Sequence, residues 1–240
     1  MRKFWITFLL VVGILRYMGK RAVTPVRREE TIRLKHLKES FTVLFVSDVH
    51  NNRIEDRMTK EDVDIVVIGG DFVDKRVSDA TMKHNLEALT KLNKPIFFIP
   101  GNNDREKETL FELLATYGVI TLSNDTYTGE TYSITGLDPY RPEGTTLPQK
   151  SNVRPSILIV HDPFFIHEWQ DYAEDYDLVL AGHTHGGQVR FMGYGPYERG
   201  GWKKFGGKSV FVSEGYGTSL LPIRLETHSE YHVFTMQNES

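Results

Sequence analysis

An α/β domain with substantial sheet is what this sequence predicts, and three observations predict it. Five short runs are almost wholly apolar, amphipathic stretches lie between several of them, and each run breaks into Gly, Asp, Asn or His at its end. Apolar runs of this kind read as strands covered on both faces. Polar residues gathered just past the carboxyl ends of such strands are where α/β proteins place ligands. At 240 residues, with 40% hydrophobic and 25% charged, the chain is long enough for one domain with a real core. A formal net charge of -3 argues against strong nucleic-acid affinity, so no nucleic-acid partner is expected. There is no cysteine, which excludes disulfides and thiolate metal sites. Any metal must sit on His, Asp, Glu, Asn or water.

The first element, residues 1–20, differs from everything after it. Arg2 and Lys3 precede an apolar or weakly polar run from Phe4 to Leu15. As a helix that run reaches roughly 18 Å, against about 30 Å of bilayer hydrocarbon. No small-residue cleavage site follows, so it reads as an uncleaved anchor that thins the bilayer or lies in its interface. Arg16, Lys20, Arg21, Arg27 and Arg28 come before the first acid, Glu29. The positive-inside rule then favours the cytoplasmic face of the cell membrane, with Arg2 and Lys3 pulling the other way. Residues 21–40 read as a basic linker and first strand, and 41–240 as the main domain.

The strand runs follow in order: "FTVLFVSD" (41–48), "DIVVIGGD" (64–71), "KPIFFIPGNND" (94–104), "SILIVHD" (156–162) and "DLVLAGH" (177–183). The stretches 78–92 and 105–118 read as helices, the first capped by Ser78 or Asp79, the second closed by Gly118. Only thirteen residues separate His50 from Asp64. That is too little for a full helix, so an open connection beside the strand ends is expected. The segment 190–207, rich in glycine and aromatics and carrying Lys203 and Lys204, reads as a rim to a pocket or a long hairpin.

The chemistry gathers at the strand ends. In extended chain, residues i and i+2 point to one side, so His183 and His185 in "LVLAGHTHGGQ" project together, and Asp48 and His50 in "SDVH" repeat the geometry. Asp71 follows two glycines, Asn102 offers an amide oxygen and His161 a further imidazole. Seven ligands are too many for one ion and suit two ions sharing a carboxylate. Two divalent cations roughly 3.5–4 Å apart are a recurrent device for in-line displacement at phosphorus. Without sulfur ligands, Mn²⁺ leads the expectation, with Fe or Zn as alternatives.

The ordered pattern DxH…GDxxD…GN[HN]D…H…GHTH resembles the calcineurin-like metallophosphoesterase superfamily from about Phe41 to the end of the domain. "GHTHGGQ" followed by "GYGTSLLPIRL" resembles its membrane-associated bacterial branch, which includes enzymes similar to UDP-2,3-diacylglucosamine pyrophosphatases. The resemblance implies a four-layer αββα sandwich with its catalytic site at the strand ends. It implies that Asp48, His50 and His185 hold one metal, that Asp71 bridges, and that Asn102, His161 and His183 hold the other. A metal-bridging hydroxide is then the expected nucleophile. Asp74, closing GDxxD, is read as a supporting residue.

One position departs from the family. Gly101-Asn102-Asn103-Asp104 stands where Gly-Asn-His-Asp or Gly-Asn-His-Glu is usual. Asn103 and Asp104 are the expected catalytic residues of this motif, but Asn103 can donate a hydrogen bond and cannot deliver a proton. Activated diesters and pyrophosphates should therefore be preferred over alkyl phosphomonoesters, unless His84 or His167 substitutes in space. Arg105, Arg141 and Arg190 are candidate phosphate clamps against a background of ordinary surface charges. The expected partners are a phosphate-containing small molecule or lipid-linked substrate and the membrane. A general nucleotide or protein phosphatase is the alternative function, and an inactive scaffold on the same fold the third.

Overall fold

Alternate residues of the central strands face different neighbours, and that alternation builds the layers. The structure is a computed structural model describing residues 1–35, 37–144 and 146–239. One six-stranded sheet runs, in spatial order, β1 (Val26–Leu34), β12 (Glu230–Asn238), β2 (Phe41–Val46), β3 (Ile65–Ile68), β4 (Ile96–Phe98) and β5 (Ile120–Thr121). The other runs β10 (Gly201–Phe205), β11 (Lys208–Val212), β9 (Leu178–Ala181), β8 (Ser156–Val160), β7 (Ser133–Leu137) and β6 (Asp125–Thr128). In β2 and β3, Val43, Phe45, Ile65 and Val67 turn inward, where they meet Ile157, Ile159, Leu178 and Leu180 of the second sheet. Their neighbours Leu44, Val46, Val66 and Ile68 turn outward onto α2 (Asp79–Thr90) and α3 (Leu110–Thr116) through Met82, Leu86, Leu89, Leu110 and Leu114. On the far side, Leu158, Val160, Val179 and Ala181 meet Ile166 and Ala173, the latter on α4 (Gln170–Glu174). Three apolar seams thus separate four layers, helix–sheet–sheet–helix, which is the expected sandwich.

Within each sheet the inner strands are parallel: β2, β3, β4 and β5 in one, β7, β8, β9 and β11 in the other. Parallel strands release the chain at one end, so the polar segments after β2, β3, β4, β8 and β9 collect there. Ser78 caps α2 by accepting from the amide of Thr81, and Gly118 follows α3 with positive φ. The second helix is shorter than its sequence pattern predicts: residues 104–106 form a single 3-10 turn and α3 begins only at Leu110. Between His50 and Asp64 there is one 3-10 turn, Met58–Lys60, in place of a crossover helix. Within residues 21–40 the strand is β1, which pairs in parallel with β12 along its whole length.

The N-terminal reading is corrected. Residues 2–23 form α1 (Arg2–Val23), but among the described residues no helix is long and apolar enough to cross a membrane. The apolar run ends at Leu15, and Arg16, Lys20 and Arg21 occupy the next turns. The last turns instead belong to the domain. Met18 and Ala22 are buried, the Met18 carbonyl accepts from the amide of Arg224, and the Ala22 carbonyl accepts from Asn52. The cell-membrane anchor, and the cytoplasmic placement inferred from it, are therefore withdrawn.

Candidate metal centre

The chain turns sharply at the strand ends. Asp48, His50, Asp71, His183 and His185 all have positive φ, between 48° and 70°. The premise of extended chain with side chains at i and i+2 on one side therefore fails at both DxH and HxH. A left-handed residue stops a strand and swings its side chain, at a cost of order 1–3 kcal/mol each for a non-glycine. Backbone hydrogen bonds hold the turns: Asp48 N to Gly70 O at 2.8 Å and His50 N to Asp71 O at 3.1 Å. At Gly182 a Cβ would lie 2.5 Å from Asp48 Oδ2, so only glycine lets β9 end this close to β2.

The swing sends the two histidines of HxH to different groups. Asp48, His50 and His185 form one cluster; Asp71, His161 and His183 form the other, each with ligand atoms within 4.8 Å of one another. His185 Nε2 lies 3.2 Å from His50 Nε2 and 3.4 Å from Asp48 Oδ1. Asp71 Oδ2 stands between the clusters, 3.2 Å from His161 Nε2 and 3.9 Å from His50 Nε2. Asn102 joins the second group, its Oδ1 3.0 Å from His183 Nδ1. All seven residues singled out in the sequence meet at one place, beside a cavity of about 250 Å³.

The donor set fits divalent cations. His161 Nδ1 is 2.9 Å from the Gly69 carbonyl, which can only accept, so this nitrogen carries the proton. The Nε2 atom of His161 is then a lone pair aimed at carboxylates, buried and without a hydrogen-bond partner. A lone pair facing a carboxylate is repulsive unless a proton or a cation lies between them. With only protons available, burial opposes charge on His161, but Asp71 and Asp48 outweigh it and raise its pKa to about 10. Burial also opposes charge on Asp71, yet His161 and His50 hold its carboxyl well below the usual range. His185 moves the other way: burial, with His50 and Arg224 adding to it, outweighs Asp48 and lowers its pKa to about 3. It stays neutral, as a metal-ligating imidazole must.

The GNND segment does different work from that expected. Asn103 donates twice to Asp71, from its backbone amide to Oδ1 at 2.8 Å and from its side chain to Oδ2 at 2.6 Å. Asp104 was expected among the catalytic residues, and its position corrects that. It is fully buried and accepts from the amides of Gly101 (2.7 Å), Asp71 (2.8 Å) and Val73 (3.1 Å), tying two site loops together from beneath. Burial, then the charge of Asp71, push its pKa up to about 7. It is a positioning residue. Asp74 is one as well: its Oδ2 lies 3.4 Å from His50 Nδ1 and it pairs with Arg76.

The remaining candidates lie elsewhere. His84 faces the Ile54 carbonyl and His167 accepts from the amide of Gly206; neither lines the cavity. Arg105 pairs with Asp138, Arg141 with Glu143, and Arg190 is buried against the carbonyls of Tyr197 and Gly193; none of the three lines the metal cavity. The sequence reading missed Arg224. It is fully buried and donates to the carbonyls of Glu214 (2.6 Å), Gly217 (2.7 Å), Gly215 (3.1 Å) and His185 (3.2 Å), with Nη2 3.3 Å from His185 Nδ1. The available signal was a lone arginine between Ile223 and Leu225.

Comparison with known proteins gives a consistent result. Residues 41–187 match the family described as calcineurin-like phosphoesterase. The Bacillus subtilis protein YpbG is 34% identical over 213 residues, covering 83% of this chain and 82% of its own. The metallophosphoesterase YkuE of the same organism is 30% identical over 267 residues, covering 94% and 90%. Phosphodiesterase YaeI of Escherichia coli is 29% identical over 219 residues, covering 79% and 80%.

Proposed function

The chain belongs to the calcineurin-like phosphoesterase family, and we propose that it is a dimetal enzyme hydrolysing activated phosphodiesters or pyrophosphates. The observation that carries this is the buried, unpartnered Nε2 of His161 beside Asp71 and Asp48, with its other nitrogen fixed by Gly69. Asp48, His50 and His185 would hold one ion, Asn102, His161 and His183 the other, and Asp71 would serve both. Bound there, divalent cations such as Mn²⁺ activate water near neutral pH and neutralise phosphate oxygens. The chain's own part is to fix the donors. Asn103 clamps both oxygens of Asp71, Asp74 orients His50, and Arg224 and Asp104 hold the loops that carry the ligands.

Asn103 also sets the reaction class. It has no transferable proton, and no spare histidine lines the metal cavity. Tyr197 is the one ionisable side chain among the lining residues besides the metal-binding candidates. A leaving group that departs without prior protonation is therefore favoured. The phosphodiesterase name of YaeI supports the same reading. A lipid-linked substrate was inferred from the anchor, and with that correction no observation favours it.

The test uses Mn²⁺-loaded protein on bis-p-nitrophenyl phosphate, a UDP-linked pyrophosphate and an alkyl phosphomonoester, glycerol 2-phosphate, whose leaving alkoxide needs a proton. Diester or pyrophosphate turnover should exceed monoester turnover by about a hundredfold or more, the low end for losing a general acid. Equal or faster monoester turnover would overturn the leaving-group reading and favour the phosphomonoesterase alternative.

A further inference from the structure

We propose that the cavity beside the metal centre, walled by Phe164, Tyr197 and Phe205, is a subsite for an aromatic substituent of the phosphoester, of aryl or nucleoside type. This rests on the phosphoesterase reading and deepens it.

The first support is adjacency. The neighbouring cavity is about 350 Å³ and shares Thr184, Pro196 and Tyr197 with the metal cavity. The metal cavity alone, about 250 Å³, falls below the roughly 300 Å³ at which ligand pockets begin. The shared residues place the second cavity directly beside the first, within reach of a substituent that passes Tyr197.

The second support is the wall. The Phe164 ring lies 5.9 Å from Tyr197 and 5.5 Å from Phe205, the latter edge-to-face at 89°. Phe164 is 45% exposed and Tyr197 40%, so this aromatic surface is not used by the core. Exposed rings offer surface on which a flat third partner can stack. The loop that carries Tyr197 is held in place: Arg190 binds the carbonyls of Tyr197 and Gly193, and Glu226 accepts from the amides of Met192 and Gly193 at 2.8 Å each. The third support is charge. Arg199 pairs with Glu214 and Lys203 with Glu198 at 2.9 Å, which leaves Lys204 as the lining cation without an acidic partner among the described residues. A cation beside open rings favours a π-bearing group over an uncharged alkyl chain.

The experiment is calorimetric titration of the Mn²⁺-loaded protein with methyl-, phenyl- and hexylphosphonate, compared with Phe164→Ala, Tyr197→Ala and Tyr197→Phe. Stacking on an aromatic side chain is worth about a tenfold gain or more. Phenylphosphonate should therefore bind about tenfold tighter than methylphosphonate, with hexylphosphonate between them. The phenyl advantage should collapse in both alanine variants and persist in Tyr197→Phe, while methylphosphonate affinity stays put in Phe164→Ala, whose side chain does not line the metal cavity. A phenyl advantage untouched by both alanine variants, or hexylphosphonate binding tightest, would overturn the subsite. Failure of every phosphonate to bind would overturn the phosphoesterase reading itself, and is distinguishable because methylphosphonate does not use the subsite.

Discussion

The two halves of the candidate metal centre share their residue types and differ in enclosure. Asp48 and His50 are sealed, and the His185 side chain is 8% exposed. Across Asp71, the His183 side chain is 25% exposed and Asn102 stands in solvent. The supports differ accordingly. Asp74 backs His50 and Arg224 backs His185, whereas His183 has the exposed Asn102 and, at 3.8 Å, Asp162 beside its ring, with His161 packed edge-to-face on it. Both open residues line the metal cavity. A sealed ion can organise the site, while an ion with an exposed edge has room for an incoming phosphate oxygen. The same asymmetry predicts that the two ions leave at different rates.

The largest effect should come from the residue common to both halves. Asp71→Asn keeps the shape but removes the charge that both groups share, so hydrolysis of bis-p-nitrophenyl phosphate should fall about a thousandfold, the upper range for one electrostatic contact. Metal analysis should show both ions weakened. Loss of only one ion would break the claim that Asp71 serves both groups.

A smaller effect should separate the halves. His183→Ala should leave one ion per chain after dialysis, whereas His50→Ala should release ions from both groups, because His50 also lies 3.9 Å from Asp71. Brief chelation of the unaltered protein should remove one ion first, with activity falling in step. Simultaneous loss of both ions on every timescale would mean that enclosure does not set retention.

Much of this centre was legible because metal ligands are few residue types and fall at the ends of recognisable strands. The apolar parity of "FTVLFV" and "SILIV" encodes which face meets which layer, and the structure uses it as read. The left-handed turns were not legible: Asp48, His50, His183 and His185 look like strand continuations, and only contacts from Gly70, Asp71 and Gly182 impose the turn. Asp104 and Arg224 were hidden for a related reason. Their partners are backbone groups many residues away, and backbone groups leave no trace in side-chain spacing. Residues 2–23 misled because an apolar run reports hydrophobicity and not what its last turns pack against.

The smallest expected effect comes from a buried charged cluster that needs no ion, and it sharpens the contrast. Glu230 accepts from the amide of Glu214 at 2.9 Å and from Arg28 at 3.1 Å, with His232 Nε2 at 3.3 Å. None of these carboxylate atoms lacks a partner, unlike His161 in the metal centre. Burial alone would raise the Glu230 pKa, but His232, Glu214 N and Arg28 lower it to about 2. A carboxyl depressed on folding stabilises the fold fully above its unfolded pKa, near 4.5, and that contribution fades as pH falls towards 2. The full contribution is of order 3 kcal/mol. Glu230→Gln should lower stability by up to about that amount at pH 7, and the gap between the two proteins should close between pH 4.5 and 2. The measurement is denaturant melting of the metal-free pair across that range, where the other carboxylates titrate alike in both and cancel. A gap independent of pH would show that Glu230 acts by packing and not by charge, and a gap that closes only when metal is present would tie the cluster to the metal centre after all.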